Sequence, residues 1–381
     1  MVARTILFLA ALPLLPHGLS PAAVGQKQQQ EAPLQLDDPK LQKQVPVLAK
    51  DLPALVVAET PRLTFHVSPL FRDGILSKQV EECLKALVRK TGRDPIVKLR
   101  AFAAGRGDVR RIQAVVTEFF TERRLPLPAL SVVQAGALPD RDAQVLIEAV
   151  AVSRKNENPR GLAFISGQFV SSPDFSLTVA PLAEESLKRV ELAAAAAGSA
   201  AQDVLRVTCL VSSLDDSQAV RQAQARRFPQ AAASLIQRHR SPLDTAVECE
   251  AVVRLHAAAP QPVSYLNPQA LPGAKHYSQV AMVNVPKLAL SSAQLAFGFE
   301  EKDARLAFER LSTALDDAKV DIRATVMSNV YPLSDSVADL VRKVRFEFFD
   351  PARPPASTMI PFQGLPSLDA SFAVEVVAAV Q

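Results

Sequence analysis

Between residues 60 and 381 the chain alternates helical and strand periodicities in one order, three times over. In the first copy Leu63 to Val67 reads as a short strand. A helix follows from Ser77 to Lys90, with Val80, Cys83, Leu84, Leu87 and Val88 at i, i+3, i+4, i+7, i+8 spacing. Val97, Leu99 and Ala101 then alternate with Lys98 and Arg100, the period of a half-buried strand. A second helix, Val109 to Arg123, ends before Pro126 and Pro128, and strands Ser131–Gly136 and Ala143–Val152 close the copy. The second copy predicts strand 162–170, helix 181–197 stopped by Gly198, strand 203–212, helix 217–228 and strands 232–237 and 245–255. The third predicts strands 281–285 and 288–297, helix 302–318, strand 322–331, helix 336–349 and strands 357–362 and 371–380.

A strand–helix–strand crossover followed by another helix and two strands makes an α+β module, one sheet covered by two helices on one face. The closing strands are apolar on both sides: Ile147 and Ala149 against Leu146 and Val150, and Val374 and Val376 against Ala373 and Val377. The uncovered faces therefore need a partner, and three modules can supply it to one another around a common axis. The expected organisation is a linker over residues 26–60 and modules at 61–155, 160–257 and 264–381, arranged as an intramolecular pseudo-trimer. Such a chain is a monomer, because its trimer is internal.

Residues 1–25 have the pattern of an export signal. Arg4 precedes the apolar run Ile6 to Leu15, and Ala23-Val24-Gly25 is an acceptable cleavage site. The expected location is periplasmic or extracellular, with no membrane attachment. Composition permits real cores, at 48% hydrophobic and 22% charged residues, built mainly from Ala, Leu and Val because Trp is absent and Tyr numbers only 3. A net charge of +4 is too small and scattered for a nucleic-acid footprint, and the basic run Arg106, Arg110, Arg111, Arg123 and Arg124 reads as a solvated surface. The three cysteines, Cys83, Cys209 and Cys249, lie on apolar stripes and are expected as buried free thiols, a Cys209–Cys249 bridge being the alternative. No His/Cys spacing suits a metal, so neither a metal nor another cofactor is expected.

Several segments resemble the RidA/YjgF family, also described as endoribonuclease L-PSP-like. Leu162-Ala163-Phe164-Ile165-Ser166-Gly167-Gln168 is similar to its Ser-Gly-Gln strand, and His276-Tyr277-Ser278-Gln279 to its Tyr-Ser-Gln. Ser292-Ala293-Gln294 resembles a degenerate Ser-Gly-Gln, and Phe119-Phe120 and Phe348-Phe349 resemble the end of the second helix. The closing strands carry Ile147-Glu148-Ala149, Val247-Glu248-Cys249-Glu250 and Val374-Glu375-Val376. The resemblance implies a chorismate-mutase-like fold, a homotrimeric ancestry and small-molecule clefts between modules. It also implies hydrolysis of enamines and imines to keto acids and ammonia; a ribonuclease role has neither a catalytic His nor a basic groove behind it.

By that resemblance the candidate catalytic residues are Glu148, Glu250 and Glu375, the alternative being glutamates that hydrogen-bond backbone at the module interface and do no chemistry. The candidate substrate-binding residues are Ser166, Gly167, Gln168, Tyr277, Ser278, Ser292 and Arg353. The family's carboxylate-clamping Arg falls on Leu130, Ala233 and Ser357, and its Asn on Gln113, Arg221 and Arg342. Losing the clamp removes a charged hydrogen-bond pair, roughly 1.5–3 kcal/mol. Arg353, in a displaced Pro-Ala-Arg, is the substitute the sequence offers. Three expectations stand at this point: a metabolite-binding pseudo-trimer with degenerate or altered deaminase chemistry, an active deaminase releasing ammonia and a keto acid, or a non-catalytic structural or interaction protein.

Overall fold

The computed structural model describes residues 51–380 apart from 106, 175 and 240–244. The expected export segment and most of the linker lie outside the described residues. What the linker expectation missed is β1 (Leu55–Glu59), a strand. After it come β2 (Leu63–Val67), α1 (Leu76–Lys90), β3 (Ile96–Ala103), α2 (Arg111–Glu122), β4 (Ala129–Gln134) and β5 (Val145–Val152). The next set is β6 (Leu162–Ser172), α3 (Val179–Ala196), β7 (Val204–Val211), α4 (Ser217–Arg227), β8 (Ala232–Gln237) and β9 (Thr245–Arg254). Strands β10 (Val263–Leu266) and β11 (Val280–Val283) lead to β12 (Lys287–Ser291), β13 (Gln294–Phe297), α5 (Glu301–Asp317), β14 (Thr325–Pro332), α6 (Asp335–Val344), β15 (Ala356–Met359) and β16 (Ala370–Val380).

The helices form where the apolar stripes predict them, and each pair covers one face of one sheet. Val80, Cys83, Leu84 and Leu87 of α1 pack with Ile112, Val116 and Phe120 of α2 on Leu99, Ala101 and Ile147. Leu187 and Val190 of α3 meet Val207, Cys209 and Cys249 in the second sheet, and Phe308 and Leu311 of α5 meet Val330 and Val374 in the third. Ser334 caps α6 by accepting a hydrogen bond from the Val337 N–H at 3.3 Å.

All three sheets share one core. The closing strand sits antiparallel beside the crossover strand, whose other edge takes a parallel partner: β5-β3-β4, β9-β7-β8 and β16-β14-β15. The leading strands are distributed differently from what the sequence suggested. β11, expected in the third module's sheet, pairs antiparallel with β6 of the second, and β1 pairs with β12 of the third. Gly161 admits β11: its φ is +96°, and a Cβ there would lie 2.0 Å from the Val283 carbonyl oxygen. The faces away from the helices meet in two apolar clusters. One joins Val97, Val150, Phe164, Val252, Leu290 and Met327, and the other Phe102, Leu146, Leu210, Ile236, Tyr331 and Phe362. Residues from all three sheets contribute to both.

The expectation of free thiols is corrected for two of the three cysteines. Cys209 and Cys249 are direct cross-strand partners on β7 and β9 and form a disulfide, whereas Cys83 is buried and free. Register is the reason. It sets the two side chains opposite each other on the same face, a pairing that apolar periodicity alone does not reveal.

Candidate functional site

The three candidate glutamates occupy equivalent places. Glu148 is opposite Arg100, Glu250 opposite Thr208, and Glu375 opposite Asn329. On the neighbouring parallel strands the same rows continue to Ser131, Ser234 and Thr358. All three carboxylates project into the centre of the molecule, where Lys98, Arg100 and Arg206 match them in charge. Arg100 donates through Nε to Glu148 at 2.8 Å and through Nη2 to Glu148 at 2.6 Å and Glu250 at 2.7 Å. Arg206 lies 3.3 Å from Glu250, and Asn329 donates to Glu250 at 2.6 Å. Lys98 and Ser131 both contact Glu375, which also accepts from the Tyr331 hydroxyl at 2.5 Å. Burial would raise the Glu375 pKa, but Lys98 and Arg100 hold it down at about 2. Against the same opposition from burial, Arg100 and Arg206 keep the Glu148 pKa low.

This arrangement corrects the reading of Glu148, Glu250 and Glu375 as carboxylates of open clefts. The void that Glu148 and Glu375 border is only about 40 Å³, room for a water or so and not for a substrate. Their oxygens are already engaged by cations and hydroxyls. A buried carboxylate left without such partners would be costly, so a closed ionic centre is what three inward glutamates require.

The large cavity lies elsewhere, between the second and third sheets. Its volume is about 740 Å³, and Gly167, Glu248, Tyr277, Arg342, Arg345 and Ser357 line it together with Arg238 and His239. Glu248 is on the same face of β9 as Glu250, two residues earlier, and is 6% exposed. Its carboxylate makes no hydrogen bond or ion pair among the described residues. Burial, with the Glu250 charge adding to it, pushes its pKa up to about 8 against the opposing pull of Arg238 and Arg342. Gly167 makes room for it, because a Cβ there would come within 1.8 Å of Glu248 Oε1.

Arg345 enters from just beyond α6. It is 4% exposed and donates to the His276 carbonyl and, at 3.4 Å, to Ser357 Oγ. Its Nε is buried without a hydrogen-bond partner, and no described carboxylate pairs with it. Burial and the neighbouring Arg342 charge bring its pKa down to about 10, so it remains a cation at neutral pH. The arrangement sets a protonatable carboxyl and an uncompensated guanidinium around one solvent-open cavity, a combination suited to binding an anion and moving a proton.

The register gives each cavity-lining position an equivalent in the other modules. The place of Glu248, opposite Leu210, is Leu146 opposite Phe102 in the first sheet and Ala373 opposite Tyr331 in the third. Both are buried in the apolar cluster between sheets. Only the junction of the second and third sheets therefore carries an acid at this position.

The remaining predicted residues divide. Gly167 and Tyr277 line the cavity, and burial together with Glu248 raises the tyrosine's pKa. Ser166 supports the wall: its hydroxyl bonds the Ser278 carbonyl and accepts from the Ser357 N–H at 3.0 Å. The Gly167 N–H donates to Thr358 Oγ1 at 3.1 Å. Gln168 turns away to Gln279 at 2.8 Å, and Ser278 donates to the Pro354 carbonyl at 2.6 Å. Ser292 joins β4 to the segment before β1, accepting from Leu130 N–H at 2.9 Å and donating to the Pro53 carbonyl at 2.7 Å. Arg353 is corrected as a substitute clamp. It is exposed, paired with Asp350 at 3.1 Å, and borders a different groove with Lys319 and Arg323. The residues that sequence reasoning missed as site members are Glu248, Arg342 and Arg345. For Glu248 the usable signal was a position polar in the middle copy and apolar in the other two.

Helix-covered sheets of this topology have relatives among known proteins. The profile of the family "Endoribonuclease L-PSP" matches residues 75–153 and 156–255. Over 80 residues the chain is 36% identical to the 2-iminobutanoate/2-iminopropanoate deaminase of Salmonella typhimurium. That match takes in 20% of this chain and spans 62% of the length of the relative. Among solved structures, a member of the YjgF/YER057c/UK114 family from Mycobacterium tuberculosis aligns at 19% identity, covering 31% of this chain and 99% of that one with a TM-score of 0.23. A Rid-family protein of unknown function from Yersinia pestis aligns at 15% identity, covering 32% and 100%, with a TM-score of 0.28. The two matched segments, within residues 75–255, belong to the RidA/YjgF (endoribonuclease L-PSP) family.

Proposed function

We propose that this protein is an exported, single-site hydrolase of small enamino and imino acids, built as a pseudo-trimer of three joined modules. The observation that carries the reading is the placement of Glu248 and Arg345 in the lining of one cavity. Arg345, which lines the cavity, offers its Nη groups to the substrate carboxylate in place of the family's arginine, whose position is Ser357 here. With a pKa near 8, the Glu248 carboxyl holds a proton at neutral pH and donates it to the enamine carbon, giving the iminium. The resulting carboxylate takes a proton from the water that attacks the iminium carbon, forming a carbinolamine. The same carboxyl then passes the hydroxyl proton to nitrogen as the C–N bond breaks. The sum is enamine plus water giving a 2-keto acid plus ammonia.

The pseudo-trimer reading draws support from the shared register of the three sheets and from the ionic centre to which each contributes one glutamate. Export is supported by the pattern of residues 1–25 and by the Cys209–Cys249 disulfide, which persists in oxidising compartments. A second reading, binding without turnover, is favoured by Ser357 at the clamp position.

An assay that generates imines by amino-acid oxidation and detects the keto acid separates the two. Hydrolysis faster than the spontaneous rate is expected. No acceleration, together with keto-acid binding, would leave the binding reading in its place.

A further inference from the structure

We propose that the cavity between the second and third modules selects acids with two carboxylates, held by Arg345 and Arg342, over monocarboxylic acids. The inference rests on the site reading above and adds the substrate class to it.

Arg342 and Arg345 are three residues apart at the C-terminal end of α6, so their side chains leave the same side of the helix. Both line the cavity. The negative end of the helix dipole favours cations there, yet the two guanidiniums also repel each other, and Arg342 contributes to lowering the Arg345 pKa. Neither charge is well compensated by the protein. Arg345 has no carboxylate partner among the described residues and an unbonded Nε. The ion pair of Arg342 is with Asp339, whose side chain is 74% exposed. Such a solvated pair holds its partner weakly and exchanges readily.

One carboxylate at Arg345 would leave Arg342 facing the cavity with only the exposed Asp339 as its partner. A second carboxylate on the same ligand removes the repulsion and forms another charge-assisted contact. Space also argues for a longer ligand. A three- or four-carbon acid occupies roughly 100 Å³, a few waters' worth, whereas the cavity holds about 740 Å³. Of the two acids that line the cavity, Glu248 is protonated and adds no negative charge to oppose a dianion, while Asp335 is exposed to solvent.

The test is calorimetric titration of the full chain with glutarate and with pentanoate, two five-carbon acids that differ in one carboxylate. Glutarate is expected to bind about tenfold or more tighter. Arg342→Gln should bring glutarate to the level of pentanoate and leave pentanoate unchanged, while Arg342→Lys keeps part of the preference. Arg345→Gln should weaken both. Equal affinities that still depend on Arg345 would overturn the dicarboxylate inference and leave the site reading intact. Binding of neither acid by the wild type would overturn both.

Discussion

Glu248 and Gly167 share one space across β6 and β9: a Cβ on Gly167 would sit 1.8 Å from Glu248 Oε1. The carboxyl lies against bare backbone, so its position depends on the missing methyl. Gly167→Ala must push the carboxyl away from its place in the cavity while leaving the strand extended. The expected result is a loss of turnover of about tenfold to 100-fold, smaller than the full loss of a general acid. Steady-state kinetics alongside a thermal melt will separate this from unfolding.

Arg100 is the hub of the central cluster, bonded to Glu148 and Glu250 and 3.9 Å from Glu375. Arg100→Leu leaves buried carboxylates short of their principal cation. Breaking a buried pair from one side costs about 3–5 kcal/mol, and urea denaturation at pH 7 should register that loss. A change below about 1 kcal/mol would mean the centre relaxes by admitting water.

Stability should fall as pH rises through the Glu248 titration. The folded pKa of about 8 lies above the ordinary 4.5, so between these values the folded state keeps a proton that the unfolded state releases. The contribution is whole below about 4.5, declines across the window and is gone above 8. Glu248→Gln cannot lose that proton. Its stability relative to wild type should therefore improve from pH 5 to pH 9 by at least ~1.4 kcal/mol, the worth of one pKa unit. Paired denaturation curves at the two pH values measure it, and a constant gap would contradict the assignment.

The Cys209–Cys249 bond closes a loop with a sequence separation of 40 inside the second sheet. Replacing both residues with alanine should lower stability by about 2–4 kcal/mol. Wild type in reductant should approach the variant's midpoint, whereas a variant as stable as oxidised wild type would show that the bond adds nothing.

The helices were legible because a 3.6-residue period survives even in diverged copies. The stretch predicted at 77–90 is α1, and the one predicted at 217–228 is α4, each within a residue. Strand partners were not legible. Val280–Val283 reads as a strand from its own residues, but nothing in them says that it pairs with β6 rather than within the third sheet. The site failed for a related reason. Glu248 and Glu250 stand two apart on one face of β9, and spacing cannot tell which faces the closed centre and which the cavity. Comparing the copies would have done so: Glu250 is matched by Glu148 and Glu375, as the molecular centre requires, and Glu248 only by Leu146 and Ala373. Arg345 is placed by the turn that ends α6, for which the chain carries no separate signal.

The most direct measurement is the release of keto acid and ammonia from an enzymatically generated enamine by wild type, Glu248→Gln and Arg353→Ala. The account predicts wild-type acceleration, a fall of about 10²–10⁴-fold in folded Glu248→Gln, and no change in Arg353→Ala. A Glu248→Gln protein as fast as wild type would contradict it.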